Sequence, residues 1–309
     1  MPLMGRAKIT GVGHSLPDVV VTNDHFASYL ETSDEWIRTR TGIARRRHGG
    51  PTSQLAVGAA RHALSRAGLA AEDIDCLVLA TCTPDQILPP TSAAVQDSLG
   101  LHCAAFDINV ACTGFVYATA VATSLTASHR RILVIGAEQL SRITDPFDRS
   151  TAILMADGAG AIVLERSPLA EHDVWADLGM DGSLGWALFA DHGGTFVMKG
   201  SEVFRQAVRL CSDSVSRLLG DAGCAVGDVS FLVPHQANQR IIEAIMTRLG
   251  IPEDRCLSVV EETGNTSAAS IPLALDAAVE SHRLHAGDTV VMAGFGAGMA
   301  WGSLLVKVG

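Results

Sequence analysis

The 309 residues carry a formal charge of −10, with 48% hydrophobic and 18% charged side chains. That balance excludes nucleic acid as the main partner, and no apolar run approaches the roughly 18 residues of a membrane helix, so no membrane partner is expected. Seven cysteines (76, 82, 103, 112, 211, 224 and 256) without a C-x-x-C pair, and eleven scattered histidines without an H-x-x-x-H pair, exclude a disulfide framework and a zinc site. The opening MPLMGRAKITGVG has no apolar core of a secretory signal, so a reduced, cytoplasmic protein without a metal is expected.

In chain order, residues 7–22 read as a strand, a Gly-rich turn and an extended piece. Residues 23–31 form a short helix with Asn23 as N-cap. TSDEWIRTRTGI (32–43) is a second short helix with Trp36 and Arg40 on one face. Arg38, Arg40, Arg45, Arg46 and Arg47 crowd this region, which reads as a solvated face or as a contact for an anionic ligand or partner. Helical spacing runs from Ser53 to a terminating Gly68, followed by a buried strand at Cys76–Thr81 and a helix over about 91–99.

From Ala104 to Leu125, Phe106, Ile108 and Val110 alternate with Asp107 and Asn109, as in a strand. Ala-Cys-Thr-Gly follows, and then an Ala- and Val-rich helix. Cys112 therefore sits where a strand turns into the first turn of a helix. Unpaired N–H groups there favour an anion, so a lowered thiol pKa and a nucleophilic role are expected. The small Ala111 and Gly114 leave room for a substrate. A packed core cysteine is the alternative reading of this stretch alone. A strand at Ile132–Gly136 and a hairpin-like pair over 152–165, containing DGAGA, complete the first half.

The second half repeats this order. A long helix (202–223) matches 53–68, a strand at Phe231–Pro234 matches Leu77–Ala80, and a helix at Arg240–Gly250 matches 91–100. Residues 257–279 read as strand, Gly-containing turn and apolar helix, like the Cys112 stretch, and Val290–Gly294 matches Ile132–Gly136. A duplicated unit accounts for the repetition. Strands too apolar to face water imply sheets covered on both sides. The expected fold is α/β, two βαβαβ halves (1–170 and 171–309) in a five-layered α/β/α/β/α arrangement. Equivalent strand ends meet at the seam, which brings together Cys112, His235 of PHQAN and Asn265 of TGNTSAAS. Together these supply a nucleophile and two polar groups able to hold an oxyanion.

Six motifs, TSDEWIRTRTGI, VACTGF, DGAGA, HQANQRI, GNTSAAS and GFGAGMAWG, lie in order along the chain, and each resembles its counterpart in β-ketoacyl-ACP synthase III of the thiolase superfamily. The resemblance implies a thiolase-like fold and an acyltransferase. Cys112 takes an acyl group from acyl-CoA, and His235 and Asn265 hold the thioester oxygen of malonyl-ACP while CO₂ leaves and the enolate condenses with the acyl group. It also implies coenzyme A contacts at Trp36, Arg40 and Arg149, a pantetheine tunnel at Gly200, Phe204 and Asn238, and a basic contact for acyl carrier protein at Arg240. Leu88 matches a residue that reaches into the partner subunit's acyl pocket, which requires a homodimer, and Met299 stands where the family commonly has an aromatic. No cofactor is implied beyond the coenzyme A of the substrate. Residues 181–200 form a shorter loop than the family's and carry Trp186, Phe189 and His192, which leaves the primer open. Two other readings use the same residues: a relative that primes polyketide or other secondary metabolism, and a catalytically silent scaffold subunit.

Overall fold

The computed structural model describes residues 3–309; Met1 and Pro2, with which the expected first half begins, lie outside the described residues. The chain opens on a long strand, β1 (Leu3–Ser15), followed by β2 (Val19–Thr22), α1 (Asn23–Ala27), α2 (Asp34–Thr41) and β3 (Arg45–His48). The first half-sheet and its helices are α3 (Thr52–Ala67), β4 (Cys76–Ala80), α4 (Thr91–Leu99), β5 (Ala104–Ile108), α5 (Gly114–Leu125), β6 (Arg131–Gln139), α6 (Arg149–Ala152) and β7 (Asp157–Arg166). The second half holds β8 (Asp173–Met180), a small hairpin of β9 (Leu188–Phe189) and β10 (Val197–Met198), α7 (Gly200–Ala222), β11 (Phe231–Pro234), α8 (Gln239–Leu249), α9 (Val260–Thr263), α10 (Ser270–Glu280), β12 (Thr289–Gly296) and β13 (Ala300–Val308).

The strand pairings mirror one another. β4 runs parallel to β6, β6 antiparallel to β7, and β7 antiparallel to β1. In the second half β11 runs parallel to β12, β12 antiparallel to β13, and β13 antiparallel to β8. The two half-sheets are not separate: the start of β1 pairs with β8, which joins all nine strands in one hydrogen-bonded series. Folded on itself, this series gives five layers. Helix α3 covers the outer face of the first half-sheet and α7 that of the second, while α5 and α10 lie between and touch strands of both.

Composition explains the central layer. Helix α5 carries Ala, Thr and Val where it is squeezed between sheets, and Phe115, Val116, Ala118, Ala120 and Ala122 are all fully buried. Only small side chains let a helix approach two sheets at once. Truncating Phe115 to Ala would open a cavity costing about 3–5 kcal/mol.

Four local expectations are revised. The cap of α1 is Thr22, while Asn23 is buried and donates to Asp34 and to the Ile43 carbonyl. The stretch 152–165 is a short helix and a single strand rather than a hairpin, because β7 pairs with β6 on one side and β1 on the other. Residues 257–263 hold α9 rather than a full strand, and the pairing with β11 is an isolated bridge from the preceding Cys256 to Leu232. The arginine cluster is not one face: Arg38 pairs with Asp34 and Glu261, Arg45 with Glu262, and Arg47 donates to Pro17. Arg46 is wholly buried, donating to Asn23 and to the carbonyls of Val21 and Ile153, and burial pulls its pKa down to about 10. In this cluster only Arg40 reaches the cavity described next.

Candidate active site

A cavity of about 290 Å³ opens at the seam of the two halves. Its exposed or half-exposed rim carries Trp36, Arg40, Gly200, Phe204 and Asn238; its depth carries Cys112, His235 and Asn265, the last two buried. Apolar walls come from Ile153, Leu154, Leu188, Phe196 and Ile241, among others. An apolar channel with a few polar groups at its end suits a long flexible ligand with a reactive tip.

Each deep residue is held by its own local structure. Cys112 lies in a tight 3₁₀ turn, Ala111–Thr113, between β5 and α5. Ala111 adopts a left-handed φ of 45°, and its N–H donates to the Asn109 side chain. Such strain persists only where the surroundings fix it. Gly296 packs against this turn, and a Cβ there would come within 2.9 Å of the Cys112 nitrogen.

His235 follows β11, its backbone N–H bonded to the Ala293 carbonyl at 2.7 Å and its ring edge-on to Phe295. Its Nδ1 lies 2.7 Å from the Ser270 hydroxyl, so with that hydroxyl donating, Nε2–H is left to face the cavity. Burial drives its pKa down to about 3, which keeps the ring neutral at any physiological pH. The Asn265 Oδ1 accepts from Ser267 N–H at 2.9 Å, so its amide NH₂ is the group left free to donate. Ser267 opens the 3₁₀ turn that leads into α10 and Ser270 is the first residue of α10, so one short stretch orients both donors. In GNTSAAS the asparagine is the donor, and the two serines are its support and that of His235.

The expectation of a lowered thiol pKa is not met. Burial pushes the Cys112 thiol up to about 11, against a hydrogen bond from Ser267 that favours the thiolate. Regular helix begins only at Gly114, two residues on, and burial is the largest influence on this thiol.

The rim residues are placed as follows. Arg149 lies over the Trp36 ring at 4.7 Å and Arg40 at 5.7 Å, so the indole already carries two guanidinium groups. Asn238 caps α8 by accepting from Arg240 N–H and donates to the Arg40 carbonyl, which ties α8 to the end of α2. Arg240 is exposed over the ring of Phe204. Four residues are not part of the lining: Arg149 and Arg240 lie over the rim residues Trp36 and Phe204, Met299 is buried in the core of the second half, and Leu88 is 81% exposed next to Ile87 at 84%. The 181–200 segment contributes Leu188, Phe196 and Met198 to the wall, while Trp186 stays exposed.

Among the described residues, His14, His62 and Asp276 form the one grouping with metal-ligand spacing, away from the cavity lining. Arg66 already pairs with Asp276 at 3.0 Å, a cation in the place of an ion. No described helix is long and apolar enough to cross a membrane.

Two mirrored halves with a thiol, a neutral imidazole and a free amide at their seam define a condensing enzyme of the thiolase fold. The family models of 3-oxoacyl-[acyl-carrier-protein] synthase III match residues 106–182 and, for its C-terminal part, 219–308. A β-ketoacyl-[acyl-carrier-protein] synthase III of Bacillus cereus is 43% identical over 307 residues, covering 97% of this chain and 98% of that protein. The crystal structure of the Aquifex aeolicus synthase III superposes with a TM-score of 0.95 at 42% identity, covering 97% and 99% of the two chains. The priming β-ketosynthase of the R1128 polyketide pathway superposes at 0.93 with 36% identity, covering 100% and 98%. The chain belongs to the β-ketoacyl-ACP synthase III family, the condensing acyltransferases of fatty acid initiation.

Proposed function

We propose that this enzyme transfers an acyl group from acyl-CoA to Cys112 and condenses it with malonyl-ACP to give a β-ketoacyl-ACP. The observation that carries the assignment of residues is the convergence of Cys112, His235 and Asn265 at the closed end of one apolar cavity. The chemistry follows from the groups. The Cys112 thiolate attacks the acyl-CoA carbonyl and coenzyme A leaves. In the second step the malonyl thioester oxygen gains negative charge as CO₂ departs. A neutral Nε2–H and an amide NH₂ stabilise that charge without binding an anion permanently. The enolate carbon then bonds to the acyl-cysteine carbonyl carbon, and the bond from that carbon to the Cys112 sulfur breaks, releasing the thiolate. The 1–170 half supplies the nucleophile, and the 171–309 half supplies both oxyanion donors.

Trp36, Arg40 and Arg149 form the coenzyme A end of this reading. Adenine enters between the indole and Arg149, which must swing away, since a 4.7 Å spacing has no room for a further ring. Gly200, Phe204 and Asn238 line the pantetheine path, and a Cβ at Gly200 would meet nothing within 4 Å. Arg240 stands at the rim, where a cation draws an acidic carrier protein to an acidic enzyme. The exposed Ile87 and Leu88 support a homodimer in which a second copy covers them; Leu88 then serves the partner's acyl pocket. No cofactor beyond the coenzyme A of the substrate enters the scheme, and a cytoplasmic location fits its reduced cysteines.

The test is intact-mass measurement after exposure to acetyl- through octanoyl- and branched acyl-CoAs, beside Cys112→Ala. One adduct, absent from the variant, is expected, and it names the primer. A short or branched adduct supports initiation of fatty acid synthesis. A long or unusual one supports priming of a polyketide, for which the R1128 ketosynthase, 36% identical, is the precedent. No adduct from any acyl-CoA would sink acyl-CoA as the donor and point to a carrier-bound acyl group or to a silent subunit.

A further inference from the structure

A thiol held protonated by burial needs a base, and the neutral His235, at a pKa of about 3, is a poor one. The wall behind the thiol holds a better one. Glu138, near the end of β6, is wholly buried with no positive charge among its hydrogen-bond partners. It accepts from Thr83 at 2.6 Å, from Thr81 at 3.2 Å, from the Cys82 backbone at 3.1 Å and from the Cys82 thiol at 3.3 Å. Its fifth partner is the Ser267 hydroxyl, 3.1 Å from Oε1. The same hydroxyl reaches the Cys112 thiol. Burial raises the Glu138 pKa above the usual carboxylate range, against these donors.

We propose that Glu138, acting through the Ser267 hydroxyl, takes and holds the Cys112 proton during acylation. The resting arrangement is Cys112 S–H, Ser267 O–H and Glu138 carboxylate. The thiol proton passes to the Ser267 oxygen as the Ser267 proton passes to Glu138 Oε1. The Cys112 thiolate then forms a bond to the acyl carbonyl carbon, and the bond from that carbon to the coenzyme A sulfur breaks. The departing coenzyme A thiolate takes the proton back through Ser267, so acyl-cysteine, free coenzyme A thiol and Glu138 carboxylate result. The titratable groups facing Glu138 are Cys82, on the loop after β4, and Cys112, on the turn before α5. Cys82 lies 3.9 Å from the Ser267 oxygen, and its own thiol is pushed well above its ordinary range by burial, so it stays protonated as a donor. The inference rests on Cys112 being the nucleophile.

The experiment follows Cys112 modification from pH 5 to 10 with two probes, acetyl-CoA and the neutral alkylator iodoacetamide, assigning the thiol by peptide mass. In the wild type both rates should level off well below pH 10, above the Glu138 titration. In Glu138→Gln and Ser267→Ala the rates at pH 7 should fall on the order of 10²-fold and then climb tenfold per pH unit, with hydroxide as the only base. A wild-type rate that itself climbs tenfold per unit overturns the relay without any variant. So does a folded Ser267→Ala enzyme with a wild-type profile, or one slowed equally at every pH. A wild type that alkylates with the levelled profile but accepts no acetyl group leaves the relay standing and counts against acetyl as primer.

Discussion

In the first half the chain leaves β5 at Asn109, turns through Ala111 at a φ of 45° and makes one 3₁₀ turn before α5. In the second half it passes Asn265, turns through Ser267 at a φ of 49° and makes one 3₁₀ turn before α10. The same bond locks both: an asparagine Oδ1 accepts the N–H two residues on, at 3.2 Å and 2.9 Å. Asn109 thus matches Asn265, and Cys112 matches Ala268. The side chains then diverge. Asn109 is exposed and Asn265 lines the cavity. Facing strands carry the same asymmetry, with Glu138 of β6 corresponding to Gly296 of β12. Gly296 leaves the Cys112 turn bare for a carbonyl to approach, while Glu138 places a carboxyl against Ser267. The duplicated scaffold supplies two identical strained turns, and the site comes from giving each a different task.

The largest effect should come from breaking the asparagine pair. Asn265→Asp keeps the acceptor for Ser267 N–H but replaces the free donor with an acceptor. Condensation should fall on the order of 10²–10³-fold, while acylation of Cys112 stays within a few-fold. Asn109→Asp keeps the same turn and should change neither step more than a few-fold. Equal losses in the two variants, in separate acylation and condensation assays, would mean that both asparagines are only turn supports.

The glycines that admit these turns come next. A Cβ on Gly136 would meet the Ala268 carbonyl oxygen at 2.3 Å, and one on Gly296 would meet the Cys112 nitrogen at 2.9 Å. Both obstacles are backbone, which cannot rotate away. Gly136→Ala should lower stability by about 1–3 kcal/mol in urea melts. Gly296→Ala should cost less stability and more acylation rate, because it moves the nucleophile's own turn. The reverse order would show that the two seams are not built alike.

The repeat of elements, the two halves and the three converging loops were legible because periodicity and order are local signals. Depth is not. Glu138 lies in a strand whose residues are almost all buried, yet in the sequence it reads as any acidic residue near a strand end. Cys112 reads as a helix-start thiol, and only packing shows how strongly burial acts on it. Arg46 looked like one of five solvated arginines, but strand alternation in β3 turns it inward between two outward neighbours. The serines of GNTSAAS were in view as motif letters, and their bonds to His235 and Glu138 span loops that no pattern connects.

The smallest expected effect contrasts the two histidines that lean on α10, His235 at Ser270 and His14 at Asp276. His235 is held neutral, its pKa depressed to about 3, so the unfolded chain takes the proton first. Its contribution is intact above about pH 6.5 and is lost as pH falls, at up to about 1.4 kcal/mol per unit. His14 is shifted the other way, raised chiefly by its hydrogen bond to Asp276. Its contribution is complete below its unfolded value of 6.5 and is lost as pH rises through the higher folded one. Urea midpoints from pH 5 to 8.5 should therefore show His235→Gln flattening the acid limb. His14→Asn should flatten the alkaline side by no more than about 1 kcal/mol, since that ring is partly exposed and solvent screens the pair. Opposite slopes from one helix follow because Ser270 offers the buried His235 no charge, while Asp276 favours the protonated form of His14. A His235→Gln profile that still falls with acid like the wild type would mean that water reaches the ring, and the neutral donor on which condensation rests would lose its physical basis.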